Sequence, residues 1–169
     1  MVLFWFVLEH FGANWNISPQ IAMSADARYF TDEFEHTIDS VNRLVIPAKW
    51  RTGQSEELYV FAQEQGRLAV LPRTELEKIL HDIHSATGIS ANEKRDRSRN
   101  LFSRAAQVTC DRQGRITMEA RLLKHAGLKS AVILVGIGYR FEIWNPKAWE
   151  GRKAEAASKP AQVLDEYGI

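Results

Sequence analysis

Short runs of alternating apolar and polar residues dominate this chain, and they predict strands at 34–38, 43–46, 58–62, 67–71, 107–110, 115–118, 131–136 and 140–144. The pattern lengthens to helical spacing at Leu76, Ile79, Leu80 and Ile83, where Thr74-x-x-Glu77 reads as a capping box. Gly88 breaks that helix, and Ser90-x-x-Glu93 opens a second, basic one that runs to about Arg104. Gly127 follows Lys124-His125-Ala126 as a C-terminal cap. Asn145-Pro146 pairs an N-cap residue with proline at a first helical position, and Pro47 is compatible with another first turn. Polar, alanine-rich residues from Gly151 onward read as a loose tail with at most a short helix.

The pattern occurs twice. Thr37, Asp39, Arg43 and Ala48 recur as Thr109, Asp111, Arg115 and Ala120, each 72 positions on. At an offset of 73, Arg67-Leu68-Ala69-Val70-Leu71 meets Arg140-Phe141-Glu142-Ile143-Trp144, and Glu77 meets Glu150. Each unit predicts a strand, a tight turn (39–42 or 111–114), a second strand, a short helical stretch, a hairpin and entry into a helix. Asp can accept backbone N–H groups two residues on, while Asn42 and Gly114 tolerate positive φ, so both turns have fitting chemistry.

Composition narrows the classes. Hydrophobic residues make up 45 % of the 169 and charged residues 25 %, which excludes wholesale disorder. The single cysteine, Cys110, excludes a disulfide framework and a four-cysteine zinc site, and reads as a small apolar packing residue. His81 and His84 could share a helix face, either as metal ligands or as solvated side chains. The run from Met1 to Leu8 is too short to span a membrane and lacks a preceding basic region, so the expected compartment is the cytoplasm. No GxSxG, P-loop or GxGxxG occurs; Gly136-Ile137-Gly138 lacks the third glycine and sits within a hairpin pattern. Glu33/Glu35 and Glu56/Glu57 read as strand-edge and loop charges, so no enzyme, cofactor or small-molecule substrate is expected.

The repeated Asp-x-x-x-Arg is the one feature with a chemical job. Read alone it has two meanings. It can be a local ion pair that stiffens the turn, or it can present a guanidinium to a guanine edge or a phosphate from a β-ribbon.

Residues 34–51, from Phe34-Glu35-His36-Thr37-Ile38-Asp39 to Ala48-Lys49-Trp50-Arg51, resemble the first signature of the MraZ proteins, bacterial regulators of the division and cell wall gene cluster. The second signature is carried by Cys110–Arg115, Leu122-Leu123-Lys124-His125-Ala126-Gly127-Leu128, Val135-Gly136, Phe141-Glu142-Ile143-Trp144-Asn145 and Trp149. The resemblance spans roughly residues 32–152. It implies a mainly β, α+β fold of tandem pseudo-symmetric AbrB-like swapped-hairpin units forming a double-split β-barrel with flanking helices. It also implies a ring-shaped homo-oligomer in the cytoplasm, associated with the nucleoid, that binds direct repeats in double-stranded promoter DNA and represses transcription. Asp39, Arg43, Asp111 and Arg115 would be its DNA-binding elements, with Lys49 and Arg51 beside them.

Departures from the family pattern shape the expectations. Val41-Asn42 stands where the family has Lys-Gly, which removes a cation. Met118-Glu119 stands where the first unit has Ile46-Pro47, which weights the second half toward assembly. Residues 1–30 form an extension outside the pattern. Within it, 1–22 read either as a gene-model artefact, with translation starting near Met23, or as a specific addition that is disordered or packed on the ring. The expected order is this extension, a first AbrB-like unit with its helix at 31–86, a basic connector helix at 87–105, a second AbrB-like unit at 106–153 and a polar tail at 154–169. The formal net charge of +1 argues against an evenly basic nucleic-acid binder, yet it averages over a polarised chain. Residues 87–153 carry fourteen Lys/Arg against six Asp/Glu, a net +8. Lys94, Arg95, Arg97 and Arg99 form a basic patch there, either a solvated helix face or a backbone-steering surface. The competing function is a ring-forming scaffold for a protein partner, using Trp144 and Trp149, although hairpin-to-helix packing also accounts for both.

Overall fold

A computed structural model describes residues 28–63 and 66–157. The extension before residue 28 and the last twelve residues lie outside the described residues, as does any start near Met23. Eight strands are described: β1 (Glu33–Thr37), β2 (Arg43–Val45), β3 (Glu56–Gln63), β4 (Arg67–Pro72), β5 (Ala105–Cys110), β6 (Arg115–Thr117), β7 (Ala131–Gly136) and β8 (Phe141–Trp144). Four α-helices join them: α1 (Arg73–Ser85), α2 (Ala91–Phe102), α3 (Ala120–His125) and α4 (Pro146–Ala157), with a 3-10 turn at Ala48–Trp50.

All strand pairs are antiparallel. One sheet has the order β1-β7-β8-β4-β3-β5, and β2 pairs with β6 in a separate two-stranded ribbon. Exchanging the two units turns β1 into β5, β7 into β3 and β8 into β4. The six-strand order then reads the same from the opposite end, which is the signature of an internal two-fold axis. The ribbon obeys the same axis. Its register pairs Arg43 with Thr117, Leu44 with Ile116 and Val45 with Arg115, so the axis runs through the central Leu44–Ile116 pair.

The strands at 34–38 and 43–46 do not form a ladder of their own across the 39–42 turn; only a single bridge, Ile38 to Leu44, joins them. β1 instead pairs with β7, and β2 with β6, so each unit completes the other. Burial drives the exchange. Leu44 and Ile116 are both 0 % exposed and face each other under the ribbon, each contributing about 1.5–3 kcal/mol of apolar transfer. The sheet also remains open at β1 and β5 among the described residues, so its hydrogen bonding does not close a barrel.

Local signals mostly hold, with two exceptions. α1 begins one residue before Thr74: Pro72 ends β4 and is the N-cap, and the Glu77 carboxylate is taken by Arg73 Nε at 2.8 Å, so Thr74 and Glu77 form no capping box. α4 runs through Gly151 to Ala157, into the segment expected to be loose, with Lys153 paired to Glu150 and Arg152 to Glu155. Elsewhere the Ser90 hydroxyl accepts from Glu93 N–H, and Asn145 Oδ1 accepts from Lys147 N–H. Gly127 closes α3, with Gly127 N–H donating to Lys124 and Leu128 N–H to Leu123.

The core lies between the sheet and the ribbon. Phe30, Trp50 and Phe141 pack with centroids 5.1–5.5 Å apart, and Phe34 adds an edge contact to Trp50 at 5.2 Å. Cys110 is buried, which raises its thiol pKa and suits packing. Trp144 packs against Trp149 in a tilted arrangement with ring centroids 5.3 Å apart, joining β8 to α4. Gly136 is packed against backbone: a Cβ there would overlap the Phe30–Thr31 peptide, and Phe30 binds the β7–β8 turn through its paired hydrogen bonds with Gly138. Gly136→Ala should therefore destabilise the fold by about 1–3 kcal/mol, read as a lowered urea midpoint at unchanged slope.

Candidate nucleic-acid interface

The two turns before the ribbon strands are near-copies. Asn42 N–H donates to Asp39 C=O at 3.0 Å and Gly114 N–H to Asp111 C=O at 2.8 Å. Both residues sit at positive φ, 61° and 79°, so Asn42 supplies in the first turn what glycine supplies in the second. Each turn is then stitched to the other unit. Ile46 N–H donates to Gly114 C=O at 2.7 Å, and Met118 N–H donates to Asn42 C=O at 2.8 Å.

The carboxylate of each Asp organises its turn. Asp39 Oδ1 accepts from Val41 N–H at 2.9 Å and Arg43 N–H at 2.8 Å, and its Oδ2 accepts from Arg43 Nε at 2.7 Å. Asp111 does the same with Gln113 N–H, Arg115 N–H and Arg115 Nε, each at 2.9 Å. The ion-pair reading of Asp-x-x-x-Arg is thus realised in both units. The carboxylate takes the Nε edge and leaves the terminal guanidinium nitrogens pointing beyond the pair. On Arg115, Nη2 reaches the Gln113 side chain. Both guanidiniums are well exposed, at 44 % and 41 % of the side chain.

The ribbon collects both arginines on one surface. Leu44 and Ile116 point into the core, so the alternate residues Arg43, Val45, Arg115 and Thr117 form the opposite face. Two side chains distant in sequence become diagonal neighbours, with backbones roughly 7–8 Å apart by ordinary ribbon geometry. Val45 and Thr117 were not singled out from the sequence. The alternations Arg43-Leu44-Val45 and Arg115-Ile116-Thr117 carried that signal.

The other expected site residues divide. Arg51 lies at the ribbon: its Nε donates to Ile46 C=O at 2.7 Å, and its side chain occupies the space that a Cβ on Gly114 would need. Lys49 turns toward β1, paired with Asp32, 3.3 Å from the Thr31 hydroxyl and over the Phe34 ring. The basic helix is elsewhere. α2 rests on α1, which lies against β3 and β4, whereas the ribbon is flanked by β1 and β5. Arg97 and Arg99 are paired with Glu93 and Asp96, Arg95 bonds Asn92, and Lys94 donates to His84 C=O. His84 meets Ser98 at 3.5 Å, and the described residues hold no cluster of three potential metal ligands. Among the described residues no helix is long and apolar enough to cross a membrane.

A duplicated unit that lends one strand to its copy, and so builds a single cationic ribbon over an interleaved antiparallel sheet, defines a tandem-repeat β-ribbon protein. The family model described as "MraZ protein, putative antitoxin-like" matches residues 29–100 and again 101–166, and this chain belongs to the MraZ family. It is 38 % identical over 121 residues to the transcriptional regulator MraZ of Roseiflexus sp. (strain RS-1), covering 72 % of this chain and 84 % of that protein. It is 33 % identical over 137 residues to that of Symbiobacterium thermophilum, covering 81 % and 99 %. The namesake from Lachnoclostridium phytofermentans is 30 % identical over 140 residues, covering 83 % and 98 %. Members of the family are named as transcriptional regulators, not as enzymes.

Hydrogen bonds from backbone N–H groups, chiefly that of the paired arginine, hold the Asp39 and Asp111 carboxyls below their ordinary value of 3.8. A lowered carboxyl stabilises the folded turn above its unfolded pKa, and that contribution is lost as pH falls through the lowered value. Carbon-detected NMR titration should find both carboxyls titrating below 3.8. The amide shifts of Val41, Arg43, Gln113 and Arg115 should move with them, and Asp39→Asn should abolish the first set alone.

Proposed function

We infer that this chain is a sequence-specific DNA-binding transcriptional regulator, a repressor of the division and cell wall gene cluster. It binds direct repeats in the promoter as a ring of copies at the nucleoid and needs no cofactor. The observation that carries this reading is the ribbon face. Arg43 and Arg115 stand together on it, both exposed, both held at Nε by a carboxylate, in a two-stranded ribbon of the width that enters a major groove. The names of the relatives support the same class.

In this reading Arg43 and Arg115 offer their terminal nitrogens to guanine O6/N7 or to phosphate, and Asp39 and Asp111 act by aiming them. Arg51 braces the ribbon through Ile46 and Gly114, and Lys49 fixes the 3-10 turn against β1. Lys94, Arg95, Arg97 and Arg99 lie apart from the ribbon and contribute long-range attraction, reduced by their pairing within the helix. Each copy brings few cations, and the ring repeats them along successive direct repeats, which supplies avidity that a near-neutral chain lacks alone.

Arg43→Ala and Arg115→Ala should each weaken binding to a duplex from the region upstream of the chain's own gene. The expected cost is about 1–3 kcal/mol per contact, multiplied by the copies engaged. Binding of the wild type should also fall steeply as salt rises. Unchanged retention of the double variant in a gel shift, or no retention of the wild type at low salt, would instead favour a scaffold for a protein partner.

A further inference from the structure

Direct repeats pose a geometric problem for this ribbon. Its two strands are related by a two-fold axis through Leu44 and Ile116, so its arginines look alike from either direction. A direct repeat has one direction. Something on the face must tell one end from the other.

The difference lies beside the arginines. Opposite Arg43 stands Thr117, with one methyl and a hydroxyl; opposite Arg115, at the symmetry-related place, stands Val45, with two methyls and no polar atom. Val45 is 38 % exposed and sits between two cations on the solvent face. The turn at the Arg115 end is the more polar, with Arg112 and Gln113 where the other has Ser40 and Val41. Val45 is thus the apolar spot at the polar end of the ribbon.

We propose that Val45 reads the 5-methyl group of a thymine next to the base contacted by Arg115, and so sets the direction in which the ribbon seats on each repeat. This rests on the DNA-binding reading above and adds the base chemistry to it. Within the major groove the thymine methyl is the apolar group a base edge offers, and an aliphatic side chain is its natural partner. Thr117 at the other end offers one methyl where Val45 offers two, so the apolar contact it can make with that methyl is the smaller.

The test uses one duplex from the region upstream of the chain's own gene, synthesised with thymidine or with deoxyuridine at one position at a time. The replacement removes a methyl and leaves base pairing intact. For the wild type, deoxyuridine at one thymine per repeat should weaken binding about three- to fivefold, the effect of one buried methyl. Val45→Ala should bind the thymidine duplex correspondingly less well and be indifferent to deoxyuridine at that position. Val45→Ile should keep the sensitivity. Circular dichroism melting of each variant checks that the fold is kept at the temperature of the binding assay. Arg43→Ala and Arg115→Ala separate the two levels. If both arginines are needed but the wild type binds thymidine and deoxyuridine duplexes equally, the Val45 assignment is wrong and the DNA-binding reading stands. If neither arginine matters, both fall.

Discussion

Everything distinctive here depends on one exchange: a three-residue strand of each unit finds its hydrogen-bond partner in the other. β2 and β6 are too short to be stable alone, and each unit's own turn offers only a single bridge. Pairing across the two-fold satisfies both backbones and buries Leu44 against Ile116. The sheet beneath follows the same logic, with β1 held by β7 and β5 held by β3. Neither unit could bury its core or complete its edges without the other. The cationic face is consequently a property of the pair of units.

The exchange places the arginines, and the aspartates aim them. A long, flexible side chain on a surface ribbon would spend most of its time away from any one direction. Two backbone N–H groups fix the carboxylate, and the bond from Arg43 Nε to it restricts that freedom before a ligand arrives, which lowers the entropic cost of binding. The same arrangement is reproduced within about 0.2 Å in the second unit. The structural and functional readings of Asp-x-x-x-Arg are therefore compatible. In the proposed reading the ion pair is the mounting, and the outer edge of the guanidinium is the working part.

Much of this was legible in the sequence. The internal repeat, the paired turns, positive φ at Asn42 and the caps at Ser90, Gly127 and Asn145 follow from local chemistry, which acts over a few residues and leaves a local trace. Partner choice was less legible. Alternation shows which residues of β2 face inward, but not that they face β6, because that decision is made by packing between positions 72 apart. The start of α1 was misplaced because Pro72 and Arg73 outcompeted a plausible Thr74–Glu77 box. Within the site, the arginines were visible through their repetition. Val45 was not, since an isolated exposed valine has no meaning until the ribbon shows its neighbours. Lys49 and Arg51 belonged to the signature by position, yet their side chains make internal contacts that only tertiary structure discloses.

The central claim is that both units contribute to one DNA-binding face. Titrating the isotope-labelled protein with the upstream duplex and following backbone amide shifts tests this directly. The account predicts that residues 39–45 and 111–117 respond together at the same DNA concentration, with the amides of α2 much less affected. A response confined to one of the two turns, or centred on α2, would contradict it.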